Sequence, residues 1–132
     1  MPGQYNAQVV RTSTQAAREI KASAHYTYIT NGITLTGSEF TAASLMLEGQ
    51  CLVREEATGK FVPYVGGTTV IGSGYDFPVI ADTSVKFETD DNGDNFDVII
   101  GAVITHGAVY ESMLVGVDDD FKAALAGAVR FY

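Results

Sequence analysis

The chain has a single cysteine, few basic residues and no long apolar run, and each shortage removes a class of protein. Cys51 alone cannot form an intramolecular disulfide, so this is not a disulfide scaffold, and folding in a reducing cytoplasm is expected. The front, Met1-Pro2-Gly3-Gln4-Tyr5-Asn6, has neither the basic start nor the apolar stretch of a secretory signal. No segment approaches the ~20 apolar residues of a membrane span, so no membrane partner is expected. Eight Lys and Arg stand against sixteen Asp and Glu, a net charge of −8, which leaves no basic face to neutralise phosphates. Direct binding of nucleic acid is therefore not expected. No fixed-period repeat and no Pro- or Ser-rich linker divides the chain.

What remains is a compact, β-leaning composition. Of 132 residues 46% are hydrophobic and only 18% charged, with 14 glycines and 11% aromatics. Those proportions argue against disorder and for strands and turns over a helical bundle. The expected fold is mainly β, a small sandwich or barrel-like domain with one short C-terminal helix and a flexible N-terminal arm. The charge is uneven: residues 1–38 carry Arg11, Arg18 and Lys21 against Glu19, while the rest holds five basic and fifteen acidic side chains. A small basic front on an acidic body suggests that the two meet different surroundings.

Residues 1–24, rich in Thr, Ser, Ala, Gln and Asn, read as the arm, and 25–132 as the domain. Within the arm, 13–22 could form a brief helix with little to bury. Asn31-Gly32 between apolar residues predicts a tight hairpin turn, because both positions tolerate positive φ. Gln50–Arg54 and Phe61–Tyr64 read as two strands joined through Gly59, and Pro63 puts the second at an edge or at its end. Gly66-Gly67, Gly72 and Gly74 mark a loop, followed by strands at 78–81 and 84–89. The run Phe96–Ile104 predicts one continuous strand, buried on both faces, at the centre of the core. An aspartate among Asp118–Asp120 is placed to cap a helix whose face is Phe121, Ala124 and Leu125, with Gly127 as its stop and 128–132 as a returning, docked strand.

No constellation reads as an active site. Cys51 with His25 or His106 could pair a nucleophile with a base, but Cys51 falls inside an apolar strand and reads as a buried structural thiol. Two histidines and one cysteine fall short of a structural zinc set, and no HExxH or paired CxxC occurs. Asp90–Asp97 fails the EF-hand pattern, with Asn95 at its sixth position and Gly101 at its twelfth, and reads as a hydrated turn with room at most for a weak cation. Gly66-Gly67 and Gly72-Ser73-Gly74 lack the Lys-Ser or Lys-Thr of a phosphate loop.

The order of three segments carries a resemblance. Gln50-Cys51-Leu52-Val53 followed by Gly59-Lys60-Phe61-Val62-Pro63-Tyr64, then Val98–Ile104 with Thr105-His106-Gly107-Ala108-Val109-Tyr110-Glu111 and Met113-Leu114, then Asp119–Gly127, resembles the head decoration proteins of lambda-like tailed bacteriophages over about residues 45–132. The chain departs from them in its longer front and in Asp76-Phe77-Pro78, where a smaller, glycine-bearing strand start is expected. The resemblance implies a non-enzymatic protein without cofactor, made in the host cytoplasm and carried on the exterior of the virion. It implies homotrimers that clamp neighbouring major capsid subunits of the expanded head, with the arm ordered as a strand against the shell. Val9, Val10, Arg11, Arg18 and Lys21 are then the expected capsid-binding residues, the valine pair by strand addition. Other expectations for such a chain are a head fibre or tail component, or a carbohydrate-binding module with exposed Tyr64 and Tyr75 as stacking platforms.

Overall fold

The computed structural model describes residues 19–132, and residues 1–18, which include much of the expected arm and the start of the expected 13–22 helix, lie outside it. The described chain runs β1 (Thr27–Tyr28), β2 (Ile33–Leu35), β3 (Leu45–Met46), β4 (Cys51–Glu55), β5 (Phe61–Pro63), β6 (Tyr75–Ala81), β7 (Val85–Lys86), β8 (Val98–Ile100), β9 (Val103–Val109), helix α1 (Asp119–Ala124) and β10 (Val129–Phe131). The fold is mainly β, a curled half-barrel sheet with one short helix near the C-terminus. Its strand order is β1-β9-β6-β4-β5-β2-β8, with β10 parallel to β9, while β3 and β7 form a separate two-stranded ribbon. Among the described residues no helix is long and apolar enough to cross a membrane.

The middle of the sheet is apolar on both faces, and its alternation sorts two clusters. Cys51 and Val53 of β4, Ile80 of β6 and Ile104 of β9 face one cluster, which Phe121 and Leu125 of α1 close. Leu52, Val79, Ala81 and Val103, one position out of phase, face the other, which Phe87 and Met46 of the ribbon region cover. Each such side chain contributes about 1.5–3 kcal/mol when fully withdrawn from water. β4 is buried on both faces at Cys51, Leu52 and Val53, as are β6 at Val79–Ala81 and the start of β9 at Val103 and Ile104.

The run 96–104 corrects the expectation of one buried central strand. It breaks at Gly101-Ala102 into β8 and β9. β9 is paired on both sides, with β1, β6 and β10 as its partners, but β8 lies at the end of the sheet, and Phe96 and Ile99 stand exposed. A second correction concerns Asn31-Gly32. Both residues take positive φ, 69° and 72°, as the turn reading requires. Yet β1 and β2 do not pair with each other: β1 joins β9, and β2 lies between β5 and β8. The turn is pinned from outside, since a Cβ at Gly32 would collide with the carbonyl of Ile100 on β8.

The β4–β5 hairpin follows the sequence, with Gly59 at φ 74° closing its loop and Pro63 ending the strand opposite Leu52. Helix α1 also follows it. Asp118 is the cap and accepts the Phe121 N–H at 2.9 Å, Phe121 and Leu125 are buried, and Gly127 takes φ 88°. Ala124 departs from the expected face and is exposed. Tyr132 is docked through its backbone, which donates to the Val109 carbonyl, while its ring points into solvent.

Residues 19–24 were expected to belong to the arm, but their first half is part of the domain. Ile20 is fully buried in the first cluster. Lys21 bridges Val109 antiparallel, and Ala22 donates to the Ala108 carbonyl, so Glu19–Ala22 lie extended along β9 and not in a helix.

Candidate interaction surface

The surface that stands out begins with a bulge. Leu52 pairs with Val79 and Arg54 with Asp76, so two steps along β4 oppose three along β6. The surplus falls at Phe77, which takes φ 46° ahead of Pro78. A bulky aromatic in that region is an outlier, with a cost of about 1–3 kcal/mol that its surroundings must hold in place. The restraint is visible: Arg54 Nε donates to Asp76 Oδ1 at 2.8 Å and its Nη2 to Oδ2 at 2.6 Å. The guanidinium also lies 4.4 Å from the centroid of the Phe77 ring. The Arg54 hydrogen bonds hold the Asp76 carboxyl below the usual carboxylate range. The ring is thereby turned outward, 55% exposed.

Opposite it lies the edge of the sheet. Among the described residues β8 pairs only with β2, leaving its other side without a strand partner, and Ile99 at its middle is 74% exposed. A groove of about 310 Å³ runs between Phe77 and Ile99, floored by Ile29, Ile33 and Phe61. The β8 side is braced by Asp97, which accepts from Lys60 Nζ at 2.7 Å and from the Gly37 N–H at 2.9 Å. Those bonds, the Lys60 contact first, lower the Asp97 pKa. Buried Asn95 fastens the preceding loop through the Ala43 N–H and the Gly37, Phe40 and Thr41 carbonyls.

Chemically the groove offers apolar surface and an aromatic face, and beyond Ile99 the side of β8 away from β2 has no strand partner among the described residues. Its one cation, Arg54, is already matched by Asp76. Such a surface suits the addition of an extended segment from another protein.

Of the residues expected to bind a capsid, Val9, Val10, Arg11 and Arg18 lie outside the described residues. Lys21 is committed within the fold. It donates to Asp82, whose side chain is 3% exposed, at 2.9 Å, lies 3.1 Å from Glu19, and sits 5.1 Å over the Tyr26 ring. Tyr28 also donates to the same Asp82 carboxylate. Burial works against the Lys21 charge, but the bonds to Asp82 and Glu19 outweigh it and raise its pKa.

Tyr64, expected to be an exposed platform, is 4% exposed. Its hydroxyl donates to Asp118 at 2.9 and 3.1 Å, and its ring packs 5.0 Å from Phe121. Tyr75 is half-buried against the same cluster. Cys51 is fully buried, with its thiol pushed up to about 12 by burial and then by the charge of Asp118. Asp90 spends its carboxylate on the Asn92 and Asp94 N–H groups, and among the described residues no three His, Cys, Asp or Glu side chains gather as metal ligands would.

In the sequence Phe77 stood out only within Asp76-Phe77-Pro78, as a departure from the decoration proteins, and Ile99 and Arg54 only as members of expected strands. One signal was present: Pro78 within a strand marks a bulge or an edge and constrains the residue before it. No protein-family model matches the chain, and no curated protein matches it.

Proposed function

We propose that the chain is a capsid decoration protein, which binds the outside of an expanded phage head and holds neighbouring major capsid subunits together, as a homotrimer. The observation that carries this reading is the groove beside β8, where Ile99 on an unpaired strand edge faces an outward-turned Phe77. An extended segment of a coat subunit laid in this groove would cover Ile99 and Phe77 above β2 and β5, and the side of β8 away from β2 would offer main-chain hydrogen bonds to a strand added there. The basic front of the sequence, against an acidic body, gives the arm a different preference from the domain. The order of the segments that form the strand pair, the glycine-bearing β9 and the capped α1 resembles that expected of the decoration proteins. Many copies on one lattice would convert modest single contacts into firm attachment.

The carbohydrate-binding alternative loses its main support, because the Tyr64 ring is inside the core. Co-sedimentation with unexpanded and expanded shells of the source phage tests the proposal. Saturable binding to expanded shells, and none to unexpanded ones, is expected; binding to neither would overturn it.

A further inference from the structure

A second concavity lies on the far side of β9, between β10 and the segment leading into β1. It measures about 520 Å³, within the range of small-molecule sites, and is lined by His25, His106, Arg130, Tyr132 and Ser23 over a floor of Gly107 and Gly127 backbone. Two features of its composition point the same way.

The first is the gathering of nitrogen bases. His25 and His106 stand edge to face with ring centroids 5.4 Å apart. Arg130 reaches the pocket from β10, where it pairs with Ala108 two positions beyond His106. The pairing of Thr27 with His106 holds the segment behind His25 against the same strand.

The second is what the pocket leaves out. The chain carries twice as many acidic as basic side chains, yet none of the side chains lining this space is a carboxylate. Elsewhere in the described residues Lys21, Arg54, Lys60 and Lys122 each hold a carboxylate. Arg130 makes no ion pair, hydrogen bond or ring contact among the described residues, so its fork of donors is available to a ligand. The Tyr132 carbonyl at the rim accepts the Glu111 N–H. Ser23 Oγ accepts the backbone N–H of His25 and retains a hydroxyl proton to donate.

We infer that this pocket binds a small oxyanion, of the phosphate or carboxylate type, with Arg130 as the bidentate anchor and His25 and His106 as the flanking donors. An arginine fork matches two oxygens of such a group, and each imidazole adds one charge-assisted bond when protonated. The exposed Tyr132 ring at the rim gives a flat surface to whatever carries the anionic group.

The test uses the full chain with inorganic phosphate, acetate and neutral glucose as probes. The imidazole and Arg130 signals are followed by NMR at about pH 5.5 and about pH 8, on either side of the range in which histidine ordinarily titrates. Saturable shifts of His25, His106 and Arg130 with phosphate or acetate, stronger at the lower pH and absent with glucose, are expected; which of the two binds more tightly separates the phosphate and carboxylate sources. Arg130→Gln should weaken binding by about tenfold or more, and His25→Gln should remove much of the pH dependence. Both positions are exposed, and an unchanged unfolding midpoint verifies the folds. Absence of saturable shifts at either pH, or binding that survives Arg130→Gln undiminished, would overturn the inference.

Discussion

Asp118→Ala should be among the most damaging single changes on the surface of this domain, because one carboxylate serves two elements. Its Oδ1 accepts the Phe121 N–H at 2.9 Å and so caps α1, and both oxygens accept the Tyr64 hydroxyl, at 2.9 and 3.1 Å. Losing a cap of this kind costs about 1 kcal/mol. Leaving the Tyr64 hydroxyl without an acceptor inside the core costs about 1–3 kcal/mol more. The two add to about 2–4 kcal/mol, which with a mid-range urea slope of ~2 kcal/mol/M lowers the midpoint by about 1–2 M. Tyr64→Phe alone should cost about 1 kcal/mol, but in the Asp118→Ala background it should cost nothing or restore up to about 2 kcal/mol, because it removes a hydroxyl already left without its acceptor. Equilibrium urea unfolding of the two single variants and the double variant measures this. Strictly additive losses, or an Asp118→Ala loss below about 0.5 kcal/mol, would refute the shared role.

Other consequences follow from the same geometry. Asn95→Ala strands four backbone groups of the 37–43 loop and should cost about 2–4 kcal/mol in urea unfolding. The Cys51 thiol, fully buried and pushed up to about 12, should resist a thiol reagent in the native state and react at once in denaturant; rapid native reaction would contradict its burial. Tyr64 is raised to about 12, by burial first and Asp118 second, and Tyr28 is also raised, by burial and then Asp82. A raised folded-state value means that the stability is complete below the unfolded tyrosine value of about 10 and is lost as the pH climbs through the folded one. The urea midpoint should therefore hold steady up to about pH 10 and fall above it, with late tyrosine ionisation in the absorbance.

How much of this was legible in the sequence depended on whether a feature is settled locally. The β4–β5 hairpin and the capped α1 were, because Gly59 and Asp118 act on neighbours a few residues away. Asn31-Gly32 showed its turn but not its pairing, since the partners of β1 and β2 are β9, β5 and β8, far off in sequence. The run 96–104 misled because its apolar residues alternate between burial and exposure only once Gly101 has divided two strands with different positions in the sheet. Tyr64 looked like surface because an aromatic with a hydroxyl suits both a binding face and a core that supplies Asp118. The groove depended on a bulge and a sheet edge, which only the assembled register places together.

Ile99→Lys tests the central claim most directly. Ile99 is 74% exposed, so the folded domain should hardly notice the change, and lysine is well tolerated on sheet edges. Burying the rest of an isoleucine against a partner is worth about 1–2 kcal/mol, and a lysine forced into that place adds a desolvation cost, so affinity for expanded shells should fall by about tenfold or more. Co-sedimentation of Ile99→Lys beside the unaltered protein, with urea midpoints alongside, gives the answer. Equal folding with strongly reduced shell binding is the result this account predicts; equal binding by both proteins would contradict the assignment of the β8 groove as the grip.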